Sequence, residues 1–261
     1  MFVLAEIEGT WRVAGGAVIL FSVMVARALP AQLEALRARP LARDVRVVPT
    51  GLGDLDALLP DGGLPRGAVS ELASTSALSL GTSLALGAVV AAQAEARMRG
   101  GESAFCAFLD PGGSLHGPGT RAAGVDLARL LVVRPPLDAL ARTAVRVVSS
   151  RVFSVVVIDV AGVPGAPGAA DLGSWANAIR RLALAAEGGD TAVVLLTARE
   201  AARPLPLPVA LRVELLQPSE GRLSIRIGKE RRGLVGGWSS ITTAASAAKE
   251  ADHAYPRPRS A

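Results

Sequence analysis

The chain has 261 residues, of which 50% are hydrophobic and 20% are charged, so its composition excludes an intrinsically disordered protein. It fits one globular α/β domain with a small appendage. Aromatic residues make up only 3%, which leaves few stacking platforms for single-stranded nucleic acid. The formal net charge of +5 permits nucleic-acid contact, but a solvated surface explains the excess of arginine equally well.

The N-terminal segment contains an apolar stretch over residues 14–26. At about 13 residues it is too short to span a bilayer as a helix. The stretch loosely imitates a signal peptide, but Glu6 and Glu8 in the segment before it argue against secretion. We therefore expect a cytoplasmic protein whose translation starts either at Met1 or near Met24.

The cysteine and histidine residues indicate neither a disulfide nor a metal site. Cys106 is the single cysteine and lies in an apolar run, which predicts a small buried side chain. His116 and His253 are far apart in the sequence and have no acidic or thiol neighbours at ligand spacing. We therefore expect no metal and no other cofactor.

Helices and strands alternate along most of the chain. Pro30 at a first helical turn, followed by Leu33 and Leu36 among charged residues, predicts a short amphipathic helix. Downstream, apolar strands alternate with helices, which predicts an α/β fold with a mostly parallel central sheet and helices on both faces. The predicted strands cover residues 45–48, 68–72, 103–109, 131–133, 153–159 and 191–197, and the predicted helices cover residues 31–39, 81–99, 137–150 and 171–187.

The pattern changes after Arg203. Two further segments, 211–216 and 222–228, predict a C-terminal antiparallel hairpin that completes the sheet. From about Ser239 onward the residues are small, polar and interrupted by proline, which predicts disorder. The predicted organisation is a loose extension over residues 1–29, a helix over 30–44, an α/β core over 45–235 and a disordered tail over 236–261.

Two motifs and two carboxylates give the sequence a resemblance to the RecA family. Residues 48–51 (VPTG) and 62–67 (GGLPRG) are similar to the segment that precedes the first phosphate-binding strand of that family. Asp110 resembles the residue that ends its second core strand, and Asp159 resembles its Walker B carboxylate. The resemblance covers residues 45 to about 230 and implies a RecA-like core.

The phosphate-binding loop implied by this resemblance is degenerate. Such a loop needs glycines whose N–H groups converge on the anion, a lysine for the β- and γ-phosphates and a hydroxyl for Mg²⁺. Ser74 and Leu80 stand where the two glycines are expected, and Gly81 stands where the lysine is expected. Only the hydroxyl of Thr82 remains, and neither of the two lysines in the chain lies near this loop.

Other parts of the nucleotide machinery are also missing. The resemblance puts the catalytic glutamate at Gly112 and the nucleotide-sensing glutamine at Ala198. Asp159 keeps the Walker B position, but without a nucleotide the plainer interpretation is a solvated or hydrogen-bonded carboxylate at the end of a strand. We therefore expect neither ATP binding nor ATP hydrolysis, and we treat these positions as vestigial.

Within the superfamily, the sequence most resembles the ImuA family, because of its eroded phosphate loop, short N-terminal helix and truncated basic C-terminus. This resemblance implies DNA repair in the SOS response, as a protein-binding component of mutagenic translesion synthesis. The implied partners are ImuB, an inactive relative of the Y-family polymerases, and an error-prone polymerase III alpha-type subunit. Contact with RecA and weak DNA binding stay open.

Interaction residues are predicted at both ends of the core. Leu33 and Leu36 would pack on a neighbouring molecule, which leaves homo-oligomerisation open. Trp238 is a candidate anchor, whereas Trp175 on a helix is more typical of a core residue. The basic C-terminal residues would contact DNA or an acidic partner, or would only keep an edge strand soluble. These basic residues are Arg222, Arg226, Lys229, Arg231 and Arg232.

Two other protein classes stay open. SulA-type cell-division inhibitors share a RecA-like fold without a phosphate loop, but they lack the motifs at residues 48–51 and 62–67. The enzymatic alternative is a RecA-like ATPase with a non-standard phosphate loop. Titration with ATP and Mg²⁺ separates this alternative from a protein that only binds other proteins.

Overall fold

The structure is a computed structural model that describes residues 46–74, 80–160, 169–198, 207–219, 222–233 and 235–242. The predicted N-terminal extension and helix, including Leu33 and Leu36, fall outside these ranges.

The described residues form ten strands and five helices. The strands are β1 Val47–Val48, β2 Leu64–Pro65, β3 Ala68–Ser74, β4 Cys106–Leu109, β5 Leu130–Val133, β6 Val155–Asp159, β7 Ala192–Ala198, β8 Leu211–Ser219, β9 Arg222–Glu230 and β10 Ser239–Thr242. The helices are α1 Gly53–Leu58, α2 Leu80–Met98, α3 Gly117–Ala122, α4 Leu137–Ser149 and α5 Ala169–Ala186, and a 3₁₀ turn covers Leu127–Arg129.

Eight of these strands form one sheet in the order β10-β9-β8-β3-β7-β6-β4-β5. In this order, the six strands β8, β3, β7, β6, β4 and β5 are parallel to one another. β9 pairs antiparallel with both β8 and β10. β1 and β2 form a separate antiparallel ribbon. The predicted fold class, a mostly parallel sheet with a C-terminal antiparallel hairpin, is confirmed.

The C-terminal end of the sheet departs from the prediction. Residues 239–242, which were predicted to belong to a disordered tail, form β10 and pair with residues 222–225 of β9. The pairing is stabilised by Ile241, which is buried against the core beside Leu223. A single apolar residue among serine and threonine is too weak a pattern to indicate a strand from sequence.

The sheet is covered by helices on both faces. On one face α2 packs through small side chains such as Ala85 and Ala88, together with residues of β1, α1 and β2. On the other face α4 and α5 pack through residues such as Leu140 and Ile179. Both faces of β6 are fully buried, which explains its uninterrupted apolar sequence.

The VPTG segment is a packing motif of this core. Both the backbone N–H and the hydroxyl of Thr50 donate to Asp56 Oδ1, at 2.8 Å each, and this fixes the turn that leads into α1. Gly51 adopts a φ of +79°, which favours glycine, and it lies against Gly87 of α2. A Cβ on Gly87 would lie 2.1 Å from the carbonyl oxygen of Thr50, so only glycine allows this contact.

The GGLPRG segment is fixed by its arginine. The Arg66 side chain, which is 5% exposed, donates to the carbonyl oxygens of Val47 and Asp190. It also forms ion pairs with Glu95 of α2, at 2.5 Å, and with Asp190. Arg66 therefore ties the β1–β2 ribbon to α2 and to the loop before β7.

Cys106 is fully buried in β4, as predicted. Burial raises the pKa of its thiol from the ordinary value to about 11, so the thiol stays protonated and unreactive at neutral pH. Among the described residues, no helix combines the length and apolar character needed to cross a membrane.

Candidate functional site

The carboxyl ends of the parallel strands meet at one edge of the sheet, where α/β proteins bind their ligands. Ser74 at the end of β3 pairs in register with Ala198 at the end of β7. Asp159 ends the neighbouring strand β6, and Asp110 directly follows β4. The structure therefore brings predicted nucleotide-site positions together at this edge, although residues 75–79 lie outside the described ranges.

Asp110 and Asp159 are joined by one serine hydroxyl. Ser114 Oγ lies 3.2 Å from Asp110 Oδ1 and 3.2 Å from Asp159 Oδ2, so it bridges the two carboxylates. Asp110 also accepts from the backbone N–H groups of Ser114 and Leu115, at 2.8 and 3.1 Å. Both carboxylates are almost completely buried, and they are held by protein groups, as expected for buried charges.

A cation that the sequence reasoning missed also lies at this edge. Arg134 follows β5 directly, and its Nε lies 3.3 Å from Asp110 Oδ2. Its position could have been inferred, because Asp110 and Arg134 both follow adjacent parallel strands. Ser114 gave no such signal, since it lies in a loop between two glycines and a leucine.

The start of α2 contains the rest of the vestigial site. Gly81 is buried in its first turn, and a Cβ there would only touch Leu196 at 3.8 Å, so no clash requires glycine at this position. Thr82 is half-buried, and the side chain of Leu80 lies outside the described residues.

The spacing from Ser74 to Thr82 is one residue longer than that from the first glycine to the hydroxyl of a phosphate-binding loop. A second alignment puts Gly81 at the second glycine, which moves the first glycine to Ser76, the lysine to Thr82 and the hydroxyl to Ser83. Neither alignment supplies a lysine.

A row of charged side chains crosses the sheet on the face that carries α5. Glu71 of β3 accepts a hydrogen bond from Thr197 Oγ1, at 2.7 Å, and lies beside Arg212 of β8. Arg212 Nε lies 3.8 Å from Glu71 Oε2 and 3.3 Å from Glu214 Oε1. These are ion pairs rather than hydrogen bonds, because Nε lacks hydrogen-bond geometry. Glu214 in turn binds Arg226 of β9, at 2.6 Å.

We call these four residues, Glu71, Arg212, Glu214 and Arg226, the charge row. Three of them, Arg212, Glu214 and Glu71, are nearly buried, with side chains 11%, 7% and 0% exposed. The outer end of the row is Arg226, whose guanidinium lies 5.2 Å from the centre of the Trp238 ring. The row therefore links the strand before the vestigial loop to an exposed tryptophan.

Three of the five predicted basic interaction residues are engaged within the protein. Arg226 belongs to the charge row, and Lys229 Nζ donates to the carbonyl oxygen of Leu207 at 2.9 Å. Arg232 pairs with Glu230 and with Asp61. The hydrogen bond to Glu230 raises the pKa of Arg232. The other two residues, Arg222 and Arg231, are exposed. An interaction role for these residues stays a prediction.

Two other residues considered from the sequence, His116 and Trp175, make contacts within the fold. His116 caps α3, since its Nδ1 accepts from the backbone N–H of Gly119 at 3.1 Å. Trp175 is half-buried and packs against the core on the α4–α5 face. Within the described ranges, no three histidine, cysteine or acidic residues are grouped so that they could hold a metal ion.

The sequence is similar to RecA proteins. The RecA N-terminal domain family matches residues 33–182. Protein RecA of Mesorhizobium japonicum is 38% identical over 117 residues, which are 44% of this chain and 30% of that protein. Protein RecA of Acidiphilium cryptum is 38% identical over 123 residues, 47% of this chain and 34% of that protein. Protein RecA of Cutibacterium acnes is 37% identical over 116 residues, which are 44% of this chain and 31% of that protein. The match thus spans about a third of the length of these curated relatives.

Proposed function

The chain belongs to the RecA N-terminal domain family, and from that premise we propose that it is a non-catalytic, RecA-like scaffold in an inducible, error-prone translesion synthesis complex of the cytoplasm. The proposed partners are an ImuB-like inactive relative of the Y-family polymerases and an error-prone polymerase III alpha-type subunit. RecA and DNA are further candidate partners. The ImuA-like features of the sequence support this choice among RecA-fold proteins.

The observation that carries the proposal is that Asp110 and Asp159, the two carboxylates at the vestigial site, are already bound by other groups of the protein. A phosphoryl-transfer site needs a carboxylate for Mg²⁺ and cations for the phosphates. Here Asp159 Oδ2 is hydrogen-bonded to Ser114, and Arg134 is paired with Asp110. A triphosphate would have to displace these contacts without a lysine to compensate for its charge.

Exposed apolar side chains at the sheet edge support a protein-binding role. β5 is the last strand of the sheet, and within the described residues it pairs only with β4. It contains neither lysine nor proline, the residues that commonly protect an edge. Large apolar side chains are exposed along it and beside it, which is typical of association surfaces. These side chains are Leu127, Leu131, Val132 and Leu137.

Co-purification tests the proposal. The full-length chain, co-expressed with the ImuB-like protein from the same genome, is expected to elute with it in buffer that contains no nucleotide. Thr82→Ala, which removes the hydroxyl that the first alignment matches to the Mg²⁺ ligand, is expected to leave the Kd of the complex within about twofold, because nucleotide takes no part in the proposed binding. The absence of a complex, or a complex that forms only with Mg²⁺-ATP, would contradict the proposal.

A further inference from the structure

The last two strands of the sheet carry polar side chains on the side opposite to their core contacts. Side chains alternate along a strand, so Leu223 and Ile225 of β9 point into the core while their neighbours point to the other side. The helices of the described residues pack mainly on the parallel strands and on β1. We call this side of β9 and β10 the hairpin face; it consists of Arg222, Ser224, Arg226, Trp238 and Ser240.

The hairpin face carries an exposed aromatic ring on a fixed support. Trp238 precedes β10 and is 42% exposed. Arg226 stacks on it and is held by two contacts to Glu214 Oε2, at 2.6 and 3.1 Å. Glu214 itself is only 7% exposed and is paired with Arg212. Because the charge row fixes Arg226, a partner that packs on Trp238 meets a preorganised surface.

The charge of this surface is positive. Glu214 compensates Arg226, but Arg222 is exposed and forms no ion pair with another described residue. Arg222 lies four residues from Arg226 on the same face, a distance of about 13 Å along the strand. Ser224 and Ser240, directly opposite each other, lie between the two arginines and offer hydroxyl groups.

We propose that the hairpin face binds an acidic segment of a partner protein, with one large apolar side chain packed on Trp238 and a carboxylate paired with Arg222. Tryptophan and arginine are the residues that most often carry the binding energy of protein interfaces. The inference rests on the proposed function as a protein-binding scaffold and names the partner chemistry of one surface.

The observations favour an acidic peptide over single-stranded nucleic acid. Nucleic-acid grooves combine several aromatic platforms with a run of cations along the backbone. The hairpin face has one ring, and the guanidinium stacked on it is already paired with Glu214. Too few phosphates would be neutralised here for tight binding.

Site-specific photo-cross-linking in living cells tests the inference. Position 238 of the full-length chain is replaced by p-benzoylphenylalanine, an aromatic side chain of similar size, and the cells are irradiated after DNA damage. Leu184, which is 69% exposed on α5, receives the same replacement as the matched control. The expected result is an adduct at position 238 but not at 184, with a cross-linked peptide rich in aspartate and glutamate. Arg222→Glu is expected to lower the adduct yield about fivefold, because it replaces the cation of one exposed ion pair by a negative charge that repels the partner's carboxylate.

Three results would overturn the inference: a nuclease-sensitive adduct, no adduct at position 238, or a yield that Arg222→Glu does not change. Circular dichroism of Arg222→Glu confirms that the variant is folded. The outcome is distinct from that of co-purification. If the complex forms and position 238 captures no acidic segment, only this inference fails. If position 238 captures an acidic segment and the ImuB-like protein does not co-purify, the proposed function fails instead.

Discussion

Arg212→Met is expected to lower the free energy of unfolding by about 3 kcal/mol, because it removes the cation that lies between the buried carboxylates of Glu71 and Glu214, of which Glu214 keeps its ion pair with Arg226. Glu71 and Glu214 have side chains 0% and 7% exposed, so water cannot replace the guanidinium. Methionine keeps much of the arginine's length and apolar contact, so the loss reports mainly on charge. Urea unfolding followed by circular dichroism measures it.

The matched control is Arg142→Met on the exposed surface of α4, which is expected to change stability by less than about 0.5 kcal/mol. A triple variant that adds Glu71→Gln and Glu214→Gln to Arg212→Met is expected to recover a large part of the loss, since neutral amides cost less to bury than charges. A loss below about 1 kcal/mol in the single variant would show that Arg212 does not stabilise the buried carboxylates of the charge row.

Gly87→Ala is expected to lower the free energy of unfolding by about 2 kcal/mol, although alanine is the better helix former. The new Cβ would lie 2.1 Å from the carbonyl oxygen of Thr50, far below van der Waals contact, so α2 and the VPTG turn must separate. Overpacking of this kind costs about 3 kcal/mol, and the gain in helix propensity returns about 1 kcal/mol. Thermal unfolding should show a decrease in Tm of about 6 °C.

Gly81→Ala is the matched control for this substitution in the same helix. Its Cβ would meet only Leu196, at the ordinary distance of 3.8 Å, so the change is expected to be neutral or slightly stabilising. Equal effects of the two substitutions would show that the close approach of Thr50 to α2 is not what the VPTG motif provides.

The fold could be predicted from the sequence because its main signals are local. The apolar runs that became β6 and β7 are continuous, and the helices between the strands end at glycine pairs or polar residues. β10 could not be predicted, because its pairing with β9 depends on a long-range contact rather than on its own composition.

The candidate site could be predicted only in part. Asp159 and Ser74 follow from position in the pattern, since each ends a parallel strand at the same edge. Ser114 bridges the two carboxylates from within a loop whose course no periodicity describes. The basic residues of β9 and of the turn after it were identified from composition, but composition does not show which arginines pair internally. Arg226 and Arg232 pair with carboxylates of other segments, Glu214 and Asp61.

We expect this RecA-like core to work without nucleotide, and calorimetric titration of the full-length chain with ATP and Mg²⁺ measures whether it does. A RecA relative with an intact phosphate-binding loop serves as the positive control. No saturable heat is expected up to about 1 mM ATP, a limit of about 4 kcal/mol of binding free energy, because the loop has neither the lysine nor the glycines that bind the phosphates. A Kd in the micromolar range would contradict this expectation.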